Sequence, residues 1–215
     1  MLEDLKAEVL RVSRLAEESN LCKHGGGNFS QIDREQGLLV ITPHAESRFQ
    51  IDGDAMIVMD LEGHVVENLK GLAPSSEWPM HTEILKSRGD MQAVCHTHAR
   101  NACTFAVLGK EVKPVVFEAA MYGGICKVMP FQAPGTMELA YSAVEGLKGT
   151  EATILGHHGL LTVADTIYDA YMKSVYVEEV ANACLQASYA VGYDNVEQIP
   201  LDQLFYLMNV MGLKA

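Results

Sequence analysis

The length, composition and charge of this 215-residue chain fit one globular domain, predicted over residues 1–215, and argue against several classes of partner. Apolar residues make up 48% of the chain and charged residues 20%, a typical balance for a folded protein with a buried core. The formal net charge of −12 excludes neither a small ligand nor a protein partner, but it disfavours nucleic acid and anionic membranes, which need a basic surface. An anionic substrate would have to be held by local dipoles or by a cation.

The five cysteines are odd in number and scattered, and no C-x-x-C pair occurs. This pattern indicates reduced, buried thiols and a cytoplasmic location. The first residues lack the basic stretch and apolar run of a secretory signal, and no segment approaches the roughly 18 consecutive apolar residues of a membrane span.

Five helices are predicted from apolar residues spaced by three and four positions and from residues that favour helix ends. They cover, in chain order, residues 2–19, 77 onward, 137–147, 165–191 and 202–211. We expect Ser75 or Ser76 to cap the second of these helices and Asp165 the fourth, while Gly212 ends the last.

Short apolar runs predict the strands. They cover residues 38–42, 55–60, 64–67, 92–98 and the two arms of a hairpin over 153–163. A second hairpin joins 55–60 to 64–67, so antiparallel pairs are expected. Because strands and helices alternate without a repeat or a change in composition, we expect one three-layer α/β/α domain. Its central sheet should be mixed, largely antiparallel and covered by helices on both faces.

His96-Thr97-His98 ends the strand predicted over 92–98 and is the sharpest chemical signal in the sequence. Side chains two positions apart on a strand point to the same side, so both imidazoles should converge on one point. Imidazole suits Zn²⁺ and its first-row neighbours, and a catalytic zinc site takes about three protein ligands. A third ligand would come from His157-His158-Gly159, where only one of the two histidines can face the same ion. Taken alone, each motif also fits solvent-exposed histidines.

Two further segments have features of an anion site. Ser75-Ser76-Glu77 offers two hydroxyls and free backbone N–H groups at a helix N-terminus, whose positive end favours a phosphate. Gly25-Gly26-Gly27-Asn28 could supply more backbone N–H groups, because glycine permits the required dihedrals and a close approach. A simple helix cap and a flexible turn are the alternative interpretations.

These motifs follow one another in a specific order. A Gly-Asn turn is followed by Thr-Pro after a strand, Ser-Ser-Glu, His-x-His, Gly-Gly, Pro-Gly-Thr and His-Gly-Leu. Over roughly residues 5–190, this order resembles the class II aldolase/adducin superfamily. The resemblance implies a metal-dependent aldolase, an aldehyde-lyase that cleaves a ketose 1-phosphate to dihydroxyacetone phosphate and an aldehyde. L-fuculose 1-phosphate or a related deoxy-ketose phosphate would be its substrate.

The resemblance also implies roles for individual residues. The implied metal ligands are His96, His98, His158 and Glu77. The ion would be Zn²⁺, with Mn²⁺ or Co²⁺ as alternatives, and Glu77 would also act as the general acid and base. The implied phosphate-binding positions are Gly27, Asn28, His44, Ala45, Ser75 and Ser76.

Two departures from the family pattern bear on the substrate. Where the family often has Thr-Pro-Ser-Gly or Thr-Pro-Thr-Gly, this chain has Thr42-Pro43-His44-Ala45, and the charge of His44 or Arg48 could compensate. A family tyrosine that reaches in from a neighbouring subunit falls on Phe117, which cannot donate a proton. Glu118 is the candidate acid/base in its place. The apolar segment 114–124 around it favours an interface, and the family resemblance implies a homotetramer with active sites between subunits.

Other activities remain open at this point. An L-ribulose-5-phosphate 4-epimerase uses the same fold but resembles the pattern with aspartate in place of Glu77. An enzyme like methylthioribulose-1-phosphate dehydratase would use Glu118 and not keep Glu77. Adducin-type members are binding modules without catalysis and typically lack the metal histidines, which this chain has. A Schiff-base aldolase would need a lysine at the site, and none lies within the metal motifs.

Overall fold

The computed structural model describes residues 1–213, so the last two residues of the predicted domain over 1–215 lie outside the described residues. Its strands are β1 (Asn28–Asp33), β2 (Leu38–Ile41), β3 (Ile57–Asp60), β4 (Val65–Glu67), β5 (Ala93–Thr97), β6 (Lys127–Met129), β7 (Ala152–Leu155) and β8 (Gly159–Ala164). Its α-helices are α1 (Glu3–Glu18), α2 (Trp78–Ser87), α3 (Arg100–Leu108), α4 (Met137–Gly146), α5 (Ile167–Val191) and α6 (Leu201–Val210). Short 3₁₀ helices cover Gly53–Ala55, Phe117–Tyr122 and Tyr193–Asn195.

All eight strands belong to one sheet in the order β4-β3-β2-β1-β5-β8-β7-β6. Every neighbouring pair is antiparallel except β6 and β7, which run parallel. Both predicted hairpins are present, as the pairs β3–β4 and β7–β8. The prediction of a mixed, largely antiparallel sheet is therefore confirmed.

Two buried apolar clusters lie on opposite faces of this sheet. Along β2 the side chains alternate, with Val40 in the cluster under α1, α3 and α5, and with Leu39 and Ile41 in the cluster under α2 and α4. Burial on both sides explains why these strands are continuous apolar runs. The predicted α/β/α layering, with helices on both faces, is confirmed.

The pairing of β1 with β5 places polar side chains beside the first metal-ligand candidate. Asn28 lies directly opposite His96 in the register. Because Ile32 and Val94 belong to the cluster under α2, the alternation puts Asn28, Ser30 and His96 on that same face. Polar groups of the central strands thus face the start of α2.

Four local features differ from the predictions. Strand β1 and helix α3 were not predicted at all. Helix α2 begins at Trp78 rather than Glu77, and Glu77 occupies the cap position without a side-chain cap. Thr166, not Asp165, caps α5, because its extended backbone lets Oγ1 accept a hydrogen bond from the Asp169 N–H at 3.1 Å.

Among the helices within residues 1–213, none combines the length and apolar character needed to cross a membrane. All five cysteines are free thiols, and all but Cys103 are buried. Burial raises the pKa of the Cys22 thiol to about 11, which keeps it protonated and unreactive at neutral pH.

Candidate active site

Three histidine side chains converge at one edge of the sheet, two of them from the His-x-His motif and one from the His157-His158-Gly159 turn. His96 lies on β5, His98 directly follows that strand, and His158 lies in the turn between β7 and β8. The Nε2 atom of His96 lies 3.2 Å from Nε2 of His98 and 3.3 Å from Nε2 of His158. His157, the neighbour of His158, is exposed and adopts a left-handed backbone with φ of 53°, so only one histidine of the pair enters the cluster.

The protonation of His96 is set by the backbone. Its Nδ1 donates to the Leu160 carbonyl at 3.0 Å, so in the neutral ring Nε2 carries a lone pair. Burial, followed by the proximity of His158 and His98, holds the pKa of His96 well below its usual range. The same two causes, burial and His158, lower the pKa of His98. The Nε2 atom of His96, which faces the other two rings, therefore offers a free electron pair to a cation.

The arrangement fits a divalent metal ion. Zinc held by imidazoles at about 2.0–2.1 Å in tetrahedral geometry keeps its ligand nitrogens about 3.3–3.4 Å apart. The two Nε2 separations of 3.2 and 3.3 Å match that requirement. Lone pairs brought this close repel one another unless a cation or a proton lies between them. His96, His98 and His158 would therefore hold the ion.

Glu77 joins this cluster from the residue that precedes α2. Its side chain is buried, with Oε2 3.3 Å from Nε2 of His96 and Oε1 3.5 Å from Nε2 of His158. Oε1 has no hydrogen-bond partner, and a buried carboxylate without full pairing is costly. A carboxylate that faces the unprotonated Nε2 of His96 is a second sign that this site is built for a cation.

A buried chain of hydrogen bonds holds the Glu77 carboxylate through Asn28, His81 and Ser30. The sequence did not predict this network. Asn28 Nδ2 donates to Glu77 Oε2 at 2.8 Å, which leaves Asn28 Oδ1 to accept from His81 Nε2 at 2.6 Å. His81 Nδ1 then accepts from the Ser30 hydroxyl at 2.6 Å. Burial lowers the pKa of His81 to about 3, so the ring stays neutral with a fixed tautomer. The only sequence signal was the position of His81, one helical turn after Glu77.

The phosphate-binding positions implied by the resemblance lie together beside the histidines. A cavity of about 240 Å³ is lined by Gly27, Asn28, His44, Ala45, Ser75 and Ser76, with His24–Gly26, Pro43 and His98 completing it. Gly27 has φ of +69°, and a Cβ there would meet the His96 carbonyl oxygen at 2.5 Å, so the close approach requires glycine. Ala45 adopts φ of 52°, a left-handed conformation that an alanine tolerates only with strain.

The two residues considered as compensating charges have different positions. His44 is exposed and lines the cavity, whereas the Arg48 side chain is buried behind it.

A larger groove of about 750 Å³ lies elsewhere, at α1 and the end of β1. Its charged lining is Glu3, Asp4, Glu8, Asp33, Glu35 and Arg34. That excess of carboxylates repels an anion, so the smaller cavity is the candidate substrate site.

Glu118 is not brought to this site within one chain. It is half-buried on the 3₁₀ helix Phe117–Tyr122, which packs against α5 and α6. In the part of the chain that the structure describes, no hydrogen bond or ion pair joins Glu118 to the histidines or to Glu77. Its suggested catalytic role therefore depends on a second subunit.

A comparison with protein families identifies the family of this chain. A family model described as the class II aldolase and adducin N-terminal domain matches residues 7–185. The chain belongs to the class II aldolase and adducin family. The matched range contains all eleven residues predicted for the metal site, the phosphate site and the acid/base roles.

Similar class II aldolases include two bacterial proteins. A 5-deoxy-D-ribulose 1-phosphate aldolase of Bacillus thuringiensis serovar kurstaki is 33% identical over 189 residues, which cover 88% of this chain and 86% of that protein. A 5-methylthioribulose-1-phosphate/5-deoxyribulose-1-phosphate aldolase of Rhodospirillum rubrum is 31% identical over 204 residues, or 93% and 87% of the two chains. A solved L-fuculose 1-phosphate aldolase superposes with a TM-score of 0.93 at 30% identity, covering 98% of this chain and 97% of that one.

We predict that Gly159→Ala weakens metal binding, because the added Cβ would lie 2.5 Å from the Thr97 carbonyl oxygen and 2.9 Å from ring carbons of His96 and His98. Disturbing the support of metal ligands typically costs about 10–100-fold in affinity. Competition with a chromophoric chelator measures this change. Gly89→Ala is the matched control, because a Cβ at Gly89 meets nothing within 4 Å. Equal metal affinities for the two variants would contradict the prediction.

Proposed function

We propose that this protein is a metal-dependent aldolase that cleaves a ketose 1-phosphate to dihydroxyacetone phosphate and an aldehyde. The observation that carries the proposal is the buried Glu77 carboxylate, held against three converging histidine side chains. Family membership supports the same activity. Zn²⁺ is the proposed ion, because its usual ligand set includes three histidines with one position open to substrate.

Separate groups of residues are proposed to bind the phosphate and to act on the reacting carbons of the substrate. Ser75, Ser76, Asn28 and the glycine turn line the cavity proposed for the phosphate, at the N-terminal end of α2. When bound at the histidines, a divalent cation supplies Lewis-acid stabilisation of negative charge on the substrate oxygens. As the C3–C4 bond breaks, the C4 hydroxyl gives its proton to Glu77 and becomes the aldehyde carbonyl, and the electron pair of the broken bond stays on C3. Glu77 then delivers a proton to that carbon, or removes one in the condensing direction.

The fixed network around Glu77 suits this proton transfer. Asn28 holds one carboxylate oxygen, and the other has no hydrogen-bond partner, so Oε1 is the oxygen proposed to carry the proton. His81 stays neutral behind Asn28 and adds no competing charge. A general base whose geometry is set before substrate arrives loses little time or energy to reorganisation.

A 5-deoxy-ketose 1-phosphate is the substrate to assay first, because the two relatives described above act, by name, on 5-deoxyribulose 1-phosphate. Cleavage between C3 and C4 of that five-carbon sugar would give dihydroxyacetone phosphate and acetaldehyde. A panel that includes L-fuculose 1-phosphate and 5-methylthioribulose 1-phosphate, assayed with and without chelator, tests the proposal. Release of dihydroxyacetone phosphate is expected. An epimerised or dehydrated sugar phosphate in its place would identify the two enzymatic alternatives.

We predict that Glu77→Gln keeps the fold and the bound metal but loses about 10²–10⁴-fold in the exchange of dihydroxyacetone phosphate protons with solvent. The amide preserves the shape of the side chain but cannot accept the proton. Loss of the proton NMR signal in D₂O measures the exchange. Glu83→Gln, on the same helix and paired with Lys86, should exchange at the wild-type rate. Near-wild-type exchange by Glu77→Gln would rule out the role.

We also propose a homotetramer in which a neighbouring subunit completes each site. Phe117 is 56% exposed and Glu118 lies beside it on the short 3₁₀ helix. Other exposed large apolar side chains support an interface as well: Val107, Leu108, Phe131, Tyr141 and Tyr206. Apolar surface of this kind favours contact with another protein surface over water.

Sedimentation at micromolar concentration should therefore give a tetramer, and Glu118→Gln should lower the rate of cleavage without changing the assembly. Glu118 is the only acidic or basic side chain in the apolar segment 114–124, so a neighbour's site would gain its carboxylate. Glu111→Gln, an exposed residue just before this segment, is the control. A fully active monomer would refute the assembly, and an unimpaired Glu118→Gln tetramer would refute the catalytic role.

A further inference from the structure

Arg48 is a buried cation immediately behind the candidate phosphate cavity. Its side chain is only 1% exposed. The guanidinium donates to four backbone carbonyls, from Nη1 to Pro43 and Glu46 at 3.3 Å each, and from Nη2 to Gly25 at 3.3 Å and Gly27 at 2.9 Å. Each of its two terminal nitrogens therefore holds one loop.

Both of those loops form the cavity. Gly25 and Gly27 belong to the glycine turn, and Pro43 belongs to the loop that carries His44 and Ala45. Because these carbonyl oxygens point at the guanidinium, they do not face a bound anion. Arg14 of α1 donates to the Arg48 carbonyl at 2.9 Å and so anchors this segment to the core.

The charge of Arg48 has no direct ion-pair partner among residues 1–213. The carboxylates of Glu17 and Glu46 act on its guanidinium only from a distance, and its Nε has no hydrogen-bond partner although it is buried. Burial lowers the pKa of this guanidinium, yet an arginine stays charged at neutral pH. A buried charge without a direct ion pair is expensive, and a bound anion nearby would offset part of that cost.

Apart from the cation proposed at the histidines, no permanent positive charge lines the cavity. Its lining within the described residues contains neither lysine nor arginine, and its basic side chains are His24, His44 and the metal-ligand candidate His98. The whole chain carries a formal charge of −12, and the Glu77 carboxylate lies close by, so a second positive charge behind the cavity would favour a phosphate dianion.

We propose that Arg48 is the positioning residue of the phosphate site. It joins the glycine turn to the Pro43–Glu46 loop, turns their peptide oxygens away from the ligand, and supplies the positive charge that a phosphate needs. Ala45, whose backbone is strained where the family often has glycine, is held in its loop by the same bonds. This inference rests on the proposed function only in taking the bound anion to be the substrate's phosphate.

Inorganic phosphate is the probe that tests this inference directly. Its affinity for the metal-loaded wild-type protein, for Arg48→Met and for Arg48→Lys can be measured from phosphate-dependent thermal stabilisation. We expect the dissociation constant to rise about tenfold in Arg48→Met, which loses both the charge and the bonds to the loops. A smaller rise is expected in Arg48→Lys, which keeps the charge but cannot bridge both loops with a planar fork.

The kinetic readout separates a phosphate role from a general structural one. For dihydroxyacetone phosphate exchange, KM should rise by a similar factor while kcat and metal content stay near wild type. Arg34→Met is the matched control, because Arg34 also donates to three backbone carbonyls, those of Leu85, Arg88 and Met91, but lies away from the cavity. Arg34→Met should leave both the phosphate affinity and KM unchanged.

Unchanged phosphate affinity in either Arg48 variant that folds would overturn the inference, as would equal losses in Arg34→Met. If Arg48→Met does not fold, the comparison of Arg48→Lys with wild type decides. A wild-type protein that binds phosphate but cleaves no ketose phosphate would contradict the proposed function alone. A wild-type protein that binds no phosphate would overturn the role of Arg48.

Discussion

The site depends on one electrostatic constraint: three imidazoles and a buried carboxylate converge on the same small volume. His96 Nε2 is fixed as an acceptor by the bond from Nδ1 to Leu160, and Glu77 faces it at 3.3 Å. Such a cluster is unfavourable on its own and favourable around a divalent cation. The antiparallel pairing of β5 with β1 and with β8 brings these groups together. It places Asn28 opposite His96 and brings the turn that carries His158 to the same end of the strands.

Different interactions would bind the two ends of the proposed substrate. At the reacting carbons, charge is balanced by a cation at the histidines and by one carboxylate whose free oxygen can carry a proton. At the phosphate, the protein offers peptide dipoles, two serine hydroxyls and a buried guanidinium that does not itself reach the cavity. This division explains how a strongly acidic chain can hold a doubly charged anion beside Glu77.

Local patterns predicted most of the layers and the metal cluster, because strand and helix periods place side chains directly. Strand β1 was missed because Asn28, Ser30 and Gln31 look like loop residues. Each is nevertheless held by a distant partner, namely Glu77, His81 and the Ile167 N–H. Helix α3 was missed for a related reason. Its cap is Glu178 of α5, whose carboxylate accepts from the backbone N–H groups of Asn101 and Ala102. Bonds between residues far apart in sequence leave no local signal.

The central claim is that His96, His98 and His158 together bind a single divalent cation. Metal analysis of the purified wild-type protein and of His98→Ala tests it most directly. We expect about one ion per chain in the wild type and a large loss of metal in the variant, since a site of about three protein ligands does not survive the removal of one. Undiminished metal in a folded His98→Ala protein would contradict the account.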